Sequence, residues 1–185
     1  MAVPPAMETY PRRVTLVLGG ARSGKSHYAQ VLASRYRRVT FLATARPSDA
    51  EMRARIAMHR RERPAYWKTV EAPLDLHKTI ASESRKADLL LVDCLTLFLA
   101  NAMRKNSSVR IATRQLCQAI RSSRASLILV SNEVGSGIVP VSRSGRMYRD
   151  LLGQMNQEIA KIADQVVLMI AGIPLTVKEK RGKSG

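Results

Sequence analysis

The segment GGARSGKS, from Gly19 to Ser26, constrains the fold more than any other part of this chain. It satisfies the phosphate-loop pattern G-x-x-x-x-G-K-[S/T], follows the apolar run Val14–Leu18 directly, and opens a helical pattern. Its glycines let backbone amides point at phosphate oxygens, and the helix N-terminus adds positive potential. We expect Lys25 to contact the β- and γ-phosphates and the Ser26 hydroxyl to bind Mg²⁺. The predicted nucleotide-binding residues of this loop are Gly19, Gly20, Ala21, Arg22, Ser23, Gly24, Lys25 and Ser26.

A second acidic ligand for the metal is predicted at Asp93. The preceding run, Leu89–Val92, is entirely apolar. A buried parallel strand of this kind ends at the carboxyl edge of its sheet, where ligands bind. The alternative is a strand-end aspartate that only keeps the edge soluble, but the phosphate loop favours the metal. We therefore expect Ser26 and Asp93 to hold Mg²⁺ together.

Short apolar runs alternate with longer helical patterns along the chain. The runs are nearly continuous in apolar residues, which is typical of parallel strands buried on both faces. The predicted strands are Val14–Leu18, Arg38–Ala43, Leu89–Asp93, Ser126–Ser131, Gln165–Ile170 and Leu175–Val177. The predicted helices are Lys25–Tyr36, Ser48–Arg63 (opened by a Ser48/Glu51 capping box), Pro73–Ser84, Leu95–Ser123 with a break near Asn106, and Gly145–Ala163. The pattern predicts an α/β fold with a mostly parallel sheet flanked by helices.

The 185 residues contain neither a low-complexity linker nor an internal repeat, which indicates one domain. Residues 1–13 contain three prolines and no hydrophobic periodicity, and we expect a flexible extension there. Residues 178–185 read KEKRGKSG, which predicts a solvated basic tail. The phosphate-loop domain itself is expected over residues 14–177.

The composition argues against two classes of protein. An apolar share of 45% with 24% charged residues argues against intrinsic disorder. The net charge of +17, from 31 Lys and Arg against 14 Asp and Glu, raises the possibility of a nucleic-acid partner. However, the basic residues are spread along the whole chain, and aromatic residues, at 4%, supply few stacking surfaces. Nucleic-acid binding is therefore disfavoured, and the basic surface equally suits small substrates rich in phosphate.

The apolar stretches are too short or too interrupted to span a membrane. Residues 89–103 contain Asp93, and residues 166–177 contain Gly172 and Pro174. The first apolar run has five residues, too few for a signal-peptide core. Cys94 and Cys117 have no disulfide-framework or metal-ligand spacing, so we expect buried, reduced thiols. Together these observations predict a cytoplasmic protein.

A histidine lies on the apolar stripe of the predicted second helix. Met52, Ile56 and His59 follow one another at spacings of four and three residues. Such a histidine is more often a packed core residue than a catalytic one. Five arginines between Arg53 and Arg63 favour the catalytic alternative, because they disfavour an imidazolium and can bind phosphate oxygens. A neutral histidine among them is a candidate nucleophile toward phosphorus.

Four motifs together cover nearly all of the chain between Val14 and Val177. They are GGARSGKS; T-x4-D-x-E-M-x2-R-I-x2-H-x3-R-P-x2-W-x-T-x-E from Thr44 to Glu71; NEVGSGIVP from Asn132 to Pro140; and RMYRDLLGQMNQ from Arg146 to Gln157. In this combination the chain resembles the bifunctional adenosylcobinamide kinase / adenosylcobinamide-phosphate guanylyltransferases of cobalamin biosynthesis.

This resemblance implies a RecA-like P-loop sheet, assembled as a homotrimer, and two reactions. The kinase passes the γ-phosphoryl of ATP or GTP to adenosylcobinamide. The transferase passes GMP from GTP to adenosylcobinamide phosphate through a histidyl-GMP intermediate, giving adenosylcobinamide-GDP. His59 matches the guanylylated histidine, and Lys25 is the second predicted catalytic residue. Beyond the phosphate loop, the positions that match the nucleotide site are Thr44, Ala45, Arg46, Arg60, Arg61, Glu62, Arg63, Glu71 and Asp93.

Three alternatives to this function stay open at this point. One is a P-loop small-molecule kinase in which His59 is structural; the others are a nucleic-acid-binding protein and a nucleotide sensor without turnover. The motif Asn132–Pro140 follows a strand end, so it is expected to line the corrinoid site or a subunit contact, or to form a structural turn. If the His59 helix lies away from the phosphate loop, nucleotide binding must bring the two together.

Overall fold

The computed structural model describes residues 11–47, 49–61 and 63–180, which form one sheet with helices on both faces. The strands are β1 (Val14–Gly19), β2 (Val39–Ala43), β3 (Lys68–Glu71), β4 (Leu89–Asp93), β5 (Ser126–Asn132), β6 (Gln165–Ile170) and β7 (Ile173–Glu179). The helices are α1 (Lys25–Ala33), α2 (Ala50–Arg61), α3 (Leu76–Glu83), α4 (Leu95–Arg104), α5 (Val109–Ser122) and α6 (Arg143–Ile162). The order across the sheet is β3-β2-β4-β5-β1-β6-β7, and only the β6–β7 pair is antiparallel. The predicted α/β fold with a mostly parallel sheet is confirmed.

Two apolar clusters cover the two faces of the sheet. The larger packs the strands against α3, α4, α5 and α6, with Leu16 and Phe98 almost completely buried. The smaller lies under α1 and contains Val17 and Trp67. Leu16 and Val17 are consecutive in β1 and point to opposite faces, as strand geometry requires. Because both faces are buried, the central strands are apolar at almost every position.

The two edge strands depart from the sequence-based prediction. Strand β3 is not predicted, because its four residues, KTVE, include one apolar side chain and are largely exposed. Strand β7 is longer than the predicted Leu175–Val177 and is also mostly exposed. An edge strand with little burial has no continuous apolar run, so the pattern that identifies the central strands does not extend to the edges.

The start of α2 is held by an acidic side chain. Asp49 accepts a hydrogen bond from the backbone amide of Met52 through Oδ1, at 2.7 Å, as a helix N-cap does. The predicted capping residue Ser48 lies outside the described residues. Helices α1 and α3 are shorter than the predicted Lys25–Tyr36 and Pro73–Ser84, because helical pattern locates a helix better than its ends.

The predicted break in the long helical segment near Asn106 is confirmed. The backbone of Asn106 is left-handed, with a φ of 52°, and separates α4 from α5. Asparagine tolerates this conformation better than most residues. Helix α5 then starts afresh, with the Ser108 side chain accepting a hydrogen bond from the Ile111 amide.

Ordered structure extends on both sides of the predicted domain 14–177. Arg12 donates to carbonyls at the end of α5, and Lys178 donates to three carbonyls at the end of α6. Both cations satisfy helix-end carbonyls and complement the negative end of the helix dipole. Arg12 and Lys178 therefore belong to the folded domain, whereas residues 1–10 and 181–185 of the predicted extension and tail lie outside the described residues.

Both cysteines are free thiols of intermediate exposure, rather than the fully buried thiols that the sequence predicts. In the described ranges, no helix is long and apolar enough to cross a membrane.

Candidate active site

The carboxyl ends of five neighbouring parallel strands meet at one edge of the sheet. There β1 leads into the phosphate loop and β2 into Thr44, while β3, β4 and β5 end at Glu71, Asp93 and Asn132. Ligands of open α/β sheets bind at this edge. It borders a cavity of about 250 Å³. A larger groove of about 960 Å³ runs between α5 and α6. None of the predicted site residues lines this groove, so we assign function to the smaller cavity.

The cavity brings together residues predicted from five separate parts of the sequence. The predicted residues that line it are Lys25, Ser26, Ala45, His59, Arg60, Arg63, Glu71 and Asp93. Thr44 is fully buried behind the wall, whereas Arg46 and Arg61 are exposed and do not line the cavity. Glu62 lies outside the described residues. The nucleotide-binding roles of all these residues remain predictions.

The phosphate loop has the backbone shape that its glycines allow. Gly24 has a φ of 89°, in the left-handed region, and a Cβ atom there would lie 3.3 Å from the Cα of Gly172. Helix α1 begins at the next residue, and no side chain caps its first amides. Those amides are therefore available to an anion. The Nζ of Lys25 donates to the Gly20 carbonyl at 3.0 Å, which holds the ammonium over the loop.

Asp93 lies beside Ser26 and is surrounded by basic side chains. Burial raises the pKa of the Asp93 carboxyl above its ordinary value. The basic groups of His59, Lys25 and Arg63 act in the opposite direction, as does a hydrogen bond with the Ser26 hydroxyl. A carboxylate next to a hydroxyl offers the oxygen ligands that Mg²⁺ prefers, so these residues fit the predicted metal. The described residues hold no group of three or more His, Cys, Asp or Glu suited to a metal. Phosphate oxygens and waters would therefore complete its shell.

Reciprocal hydrogen bonds join the ends of β2 and β4 behind the cavity. The hydroxyl of Thr44 donates to the Cys94 carbonyl at 2.7 Å and accepts from the Cys94 amide at 2.8 Å. The Asp93–Cys94 peptide bond is cis. Burial, reinforced by the charge of Asp93, raises the pKa of the Cys94 thiol to about 11. The thiol therefore stays protonated at neutral pH and is a poor nucleophile, although it lines the same cavity as His59.

Helix α2 turns its apolar stripe toward the cavity. Met52, Ile56 and His59 all line it, and no described residue of α2 belongs to either core cluster. The stripe predicted from the sequence is therefore real, but it faces the site and not the protein interior. The structure already places His59 in the cavity that Lys25 lines, so no remote position of this helix has to be invoked.

Two contacts hold Arg63 in place. Its guanidinium carbon lies 3.6 Å from the centroid of the Phe41 ring, a cation–π contact. Its Nε donates to the His59 carbonyl at 2.8 Å. Partial burial lowers the pKa of Arg63, and Asp93 opposes the shift, but a guanidinium remains charged in proteins. A fixed cation thus lies one turn beyond the histidine, where phosphate charge is expected.

Sequence reasoning missed several residues of the site. Phe41, Thr96 and Asn132 line the cavity, and Asn101 supports it from behind. Phe41 and Thr96 lie inside runs that the apolar pattern assigns to the core. Asn132 opens the motif Asn132–Pro140, which is predicted to line the corrinoid site or a subunit contact or to form a turn, but is not assigned to the nucleotide cavity; Asn101 is a polar residue within an apolar helical run. These two features were signals of a site that could have been used.

Asn101 supports the loop that follows β2, and its removal is expected to destabilise the protein. Its buried side-chain amide donates to the Thr44 carbonyl at 2.9 Å and to the Pro73 carbonyl at 3.2 Å. Asn101→Ala leaves both carbonyls without this donor, so we expect the free energy of unfolding to fall by about 1–3 kcal/mol. Urea denaturation measures the change. Gln115→Ala, at an exposed position on α5, is the control and should stay within about 0.5 kcal/mol of wild type. Equal stability of Asn101→Ala and Gln115→Ala would contradict this role.

Comparison with known sequences points to one family. Residues 15–177 match the family described as "Cobinamide kinase / cobinamide phosphate guanyltransferase". The chain is 43% identical over 166 residues to "Bifunctional adenosylcobalamin biosynthesis protein CobP" of Pseudomonas aeruginosa, covering 88% of this chain and 96% of that protein. It is 35% identical over 178 residues to "Bifunctional adenosylcobalamin biosynthesis protein CobU" of Escherichia coli, covering 88% and 98%.

Comparison with solved structures identifies the fold alone. A type III secretion ATPase matches with a TM-score of 0.55 at 11% identity, over 89% of this chain and 56% of that one. The KaiC-like protein PH0186 of Pyrococcus horikoshii matches with a TM-score of 0.50 at 14% identity, over 94% and 82%. These likenesses support the RecA-like P-loop architecture predicted from the sequence.

Proposed function

This chain belongs to the cobinamide kinase / cobinamide phosphate guanyltransferase family, and we propose that both reactions take place in the cavity between the phosphate loop and α2. Membership makes it a bifunctional enzyme of adenosylcobalamin biosynthesis, with kinase and guanylyltransferase activities. One observation carries the single-cavity proposal: His59 lines the same cavity as Lys25, Ser26 and Asp93. His59 is only half-buried, and its helix α2 contributes no described residue to either apolar cluster, so a role confined to the core is disfavoured.

In the kinase reaction, the hydroxyl of the aminopropanol arm of adenosylcobinamide attacks the γ-phosphorus of ATP or GTP. A new P–O bond forms, the bond between the γ-phosphorus and the β–γ bridging oxygen breaks, and the hydroxyl proton is released. Lys25 and the backbone amides of the phosphate loop stabilise the negative charge on the phosphates. Because these groups are preorganised by the β1–α1 connection, they need little rearrangement when the nucleotide binds.

Mg²⁺ is assigned to the oxygen atoms of Ser26 and Asp93. When bound, the ion neutralises phosphate charge and makes the leaving phosphate a better leaving group. Asp93 ends β4 and Ser26 lies in the first turn of α1, and a hydrogen bond joins the two side chains. The donor set supports this assignment, and metal-dependent activity would test it.

In the transferase reaction, His59 attacks the α-phosphorus of GTP. The Nδ1 atom of its ring is buried, so we assign the attack to Nε2. An N–P bond forms, the bond between the α-phosphorus and the α–β bridging oxygen breaks, and pyrophosphate leaves. The phosphate of adenosylcobinamide phosphate then attacks the same phosphorus and releases neutral His59, giving adenosylcobinamide-GDP. Asp93 lies close enough to offset the positive charge that the imidazole gains on phosphorylation.

Arginines beside His59 balance the remaining negative charge of the GTP phosphates. Arg60 and Arg63 line the cavity, and Arg63 is fixed against Phe41. We assign both to GTP phosphate oxygens, whereas Arg61 is exposed and has no assigned contact. The other nucleotide-site positions, from Thr44 to Arg46 and at Glu71, are carried over from the resemblance. Of these, Ala45 and Glu71 line the cavity.

We also infer a homotrimer in the cytoplasm. The trimer rests on the family resemblance, and one surface supports it: Ile170, Ile173 and Leu175 on the β6–β7 hairpin are exposed on an edge of the sheet. Exposed apolar edges of this kind are usually covered by a partner. Light scattering should therefore give a particle of three times the 20.5 kDa chain mass. The cytoplasm supplies both nucleotides and keeps free thiols reduced.

Labelling with GTP tests the covalent step. We expect wild-type protein incubated with GTP labelled at the α-phosphate to retain label after denaturation, and GTP labelled at the γ-phosphate to leave none. A phosphoramidate is labile in acid and stable in alkali, which separates it from an ester. A lack of label, with GTP binding demonstrated by calorimetry, would favour a P-loop kinase in which His59 is structural.

A further inference from the structure

The cavity is too small to admit the whole acceptor. Its volume is about 250 Å³, below the roughly 300–1,000 Å³ typical of pockets that enclose drug-sized ligands. A corrin macrocycle with its amide side chains is larger than such ligands. The reacting arm of the acceptor must therefore enter the cavity while the macrocycle stays on the surface beside its mouth.

The segment of residues 133–142, here called the β5–α6 loop, borders the site at its start, and the helix that follows the loop contacts the cavity wall. At its start, the Glu133 amide donates to the carbonyl of Gly19, the first phosphate-loop residue, at 3.0 Å. The preceding residue, Asn132, lines the cavity and donates its amide to the Thr96 hydroxyl. Beyond the loop, the hydroxyl of Tyr148 on α6 donates to the Thr96 carbonyl at 3.1 Å. The loop is thus anchored to the wall of the cavity and lies next to the phosphate loop.

The β5–α6 loop presents apolar side chains to solvent. Ile138 and Val141 are each 97% exposed, and Val139 is 57% exposed. The backbone beneath them is held, because the Arg146 guanidinium donates to the carbonyls of Pro140 and Val141. A fixed loop that exposes three branched aliphatic side chains carries an unfavourable hydration cost, and such clusters mark binding surfaces.

We propose that Ile138, Val139 and Val141 form the surface on which the corrin macrocycle of the acceptor rests. The proposal rests on the reactions assigned above, because it supposes that the acceptor arm reaches the cavity beside these residues. The three side chains match the apolar face and methylated edge of one macrocycle, whose burial against them would provide the binding free energy.

The test compares three serine variants of the full-length protein. Ile138→Ser and Val141→Ser remove the apolar contact at two positions. Ile111→Ser is the matched control, because this isoleucine is 55% exposed on α5 and does not line the cavity. All three positions are exposed, so all variants should fold like wild type.

We expect Ile138→Ser and Val141→Ser each to raise KM for adenosylcobinamide phosphate about tenfold, with kcat and KM for GTP unchanged. A tenfold change corresponds to about 1.4 kcal/mol. Phosphorylated 1-amino-2-propanol, which has the reacting arm but no macrocycle, should lose nothing in its kcat/KM. Ile111→Ser should match wild type throughout. Calorimetry with adenosylcobinamide gives the dissociation constant without any chemical step.

The outcomes separate this proposal from the one on which it rests. If both loop variants bind the corrinoid as tightly as wild type, the proposed macrocycle surface is wrong, whether or not His59 is labelled by GTP. An equal loss for the macrocycle-free acceptor, or a changed particle mass in light scattering, would also overturn it and assign the loop to the cavity or to a subunit contact. If wild-type protein takes up no label from GTP but the loop variants still bind the corrinoid more weakly, the covalent step is refuted. The assignment of the macrocycle surface to the loop then stands.

Discussion

His59→Ala is expected to abolish guanylyl transfer while lowering the kinase rate less than tenfold. In the proposed transferase reaction the imidazole forms the N–P bond, so its loss removes the covalent route completely. Removing a nucleophile of this kind costs at least about 10⁴-fold in rate. In the kinase reaction the substrate hydroxyl is the nucleophile, and the phosphate loop supplies the charge stabilisation. The two reactions should therefore separate in this variant.

Both activities and the label from α-labelled GTP are measured on the same preparation of His59→Ala. The chain offers a matched control, because it has two further histidines, His27 and His77. His77 lies on α3 and does not line the cavity, so His77→Ala should retain both activities and the label. An acid-labile adduct that persists in His59→Ala would show that another group is guanylylated. A transferase rate within tenfold of wild type would show the same.

Lys25→Ala is expected to lower both activities by at least about 10³-fold. The ammonium lies over the phosphate loop, 3.0 Å from the Gly20 carbonyl, where the terminal phosphates of either nucleotide are predicted to bind. Its positive charge stabilises the transition states of γ-phosphoryl transfer and of pyrophosphate release alike. Removing one preorganised donor from such a site costs about 10²–10³-fold, and a charged one costs more.

Lys105→Ala is the control for Lys25→Ala, because this exposed lysine follows α4 and lies outside the cavity. Kinase and transferase rates are measured at saturating GTP, and calorimetry measures GTP affinity. If Lys25→Ala loses one activity and keeps the other, two separate sites perform the two reactions. Together, His59→Ala and Lys25→Ala therefore test whether one cavity serves both.

The local sequence pattern identified those parts of the molecule that are encoded by residues adjacent in the chain. The phosphate loop is a run of eight residues, and β4 is a continuous apolar run that ends in Asp93. The break at Asn106 follows from a residue that tolerates a left-handed backbone. Strand β3 and the length of β7 could not be recognised, because edge strands are little buried and carry no apolar run.

The placement of α2 shows where pattern stops being informative. The spacing of Met52, Ile56 and His59 defines an apolar stripe, and a stripe on a globular protein usually faces the core. Which surface a stripe packs against depends on the neighbouring elements, and spacing contains no information about them. The same limit applies to Asn101. Its polar side chain departs from the apolar pattern of its helix, and only the structure shows the two carbonyl groups to which it donates.

The amino-acid sequence by itself determined the α/β class, the nucleotide loop, the acid at the end of β4 and the histidine stripe. Each of these depends on residues that are neighbours along the chain or along one helix. Only the tertiary structure decided that Lys25, His59, Arg63 and Asp93 share one cavity, and that Ile138 and Val141 stand exposed on the loop that follows β5. The physical reason is that parallel strands bring their carboxyl ends to one edge of the sheet, so residues far apart in sequence meet there.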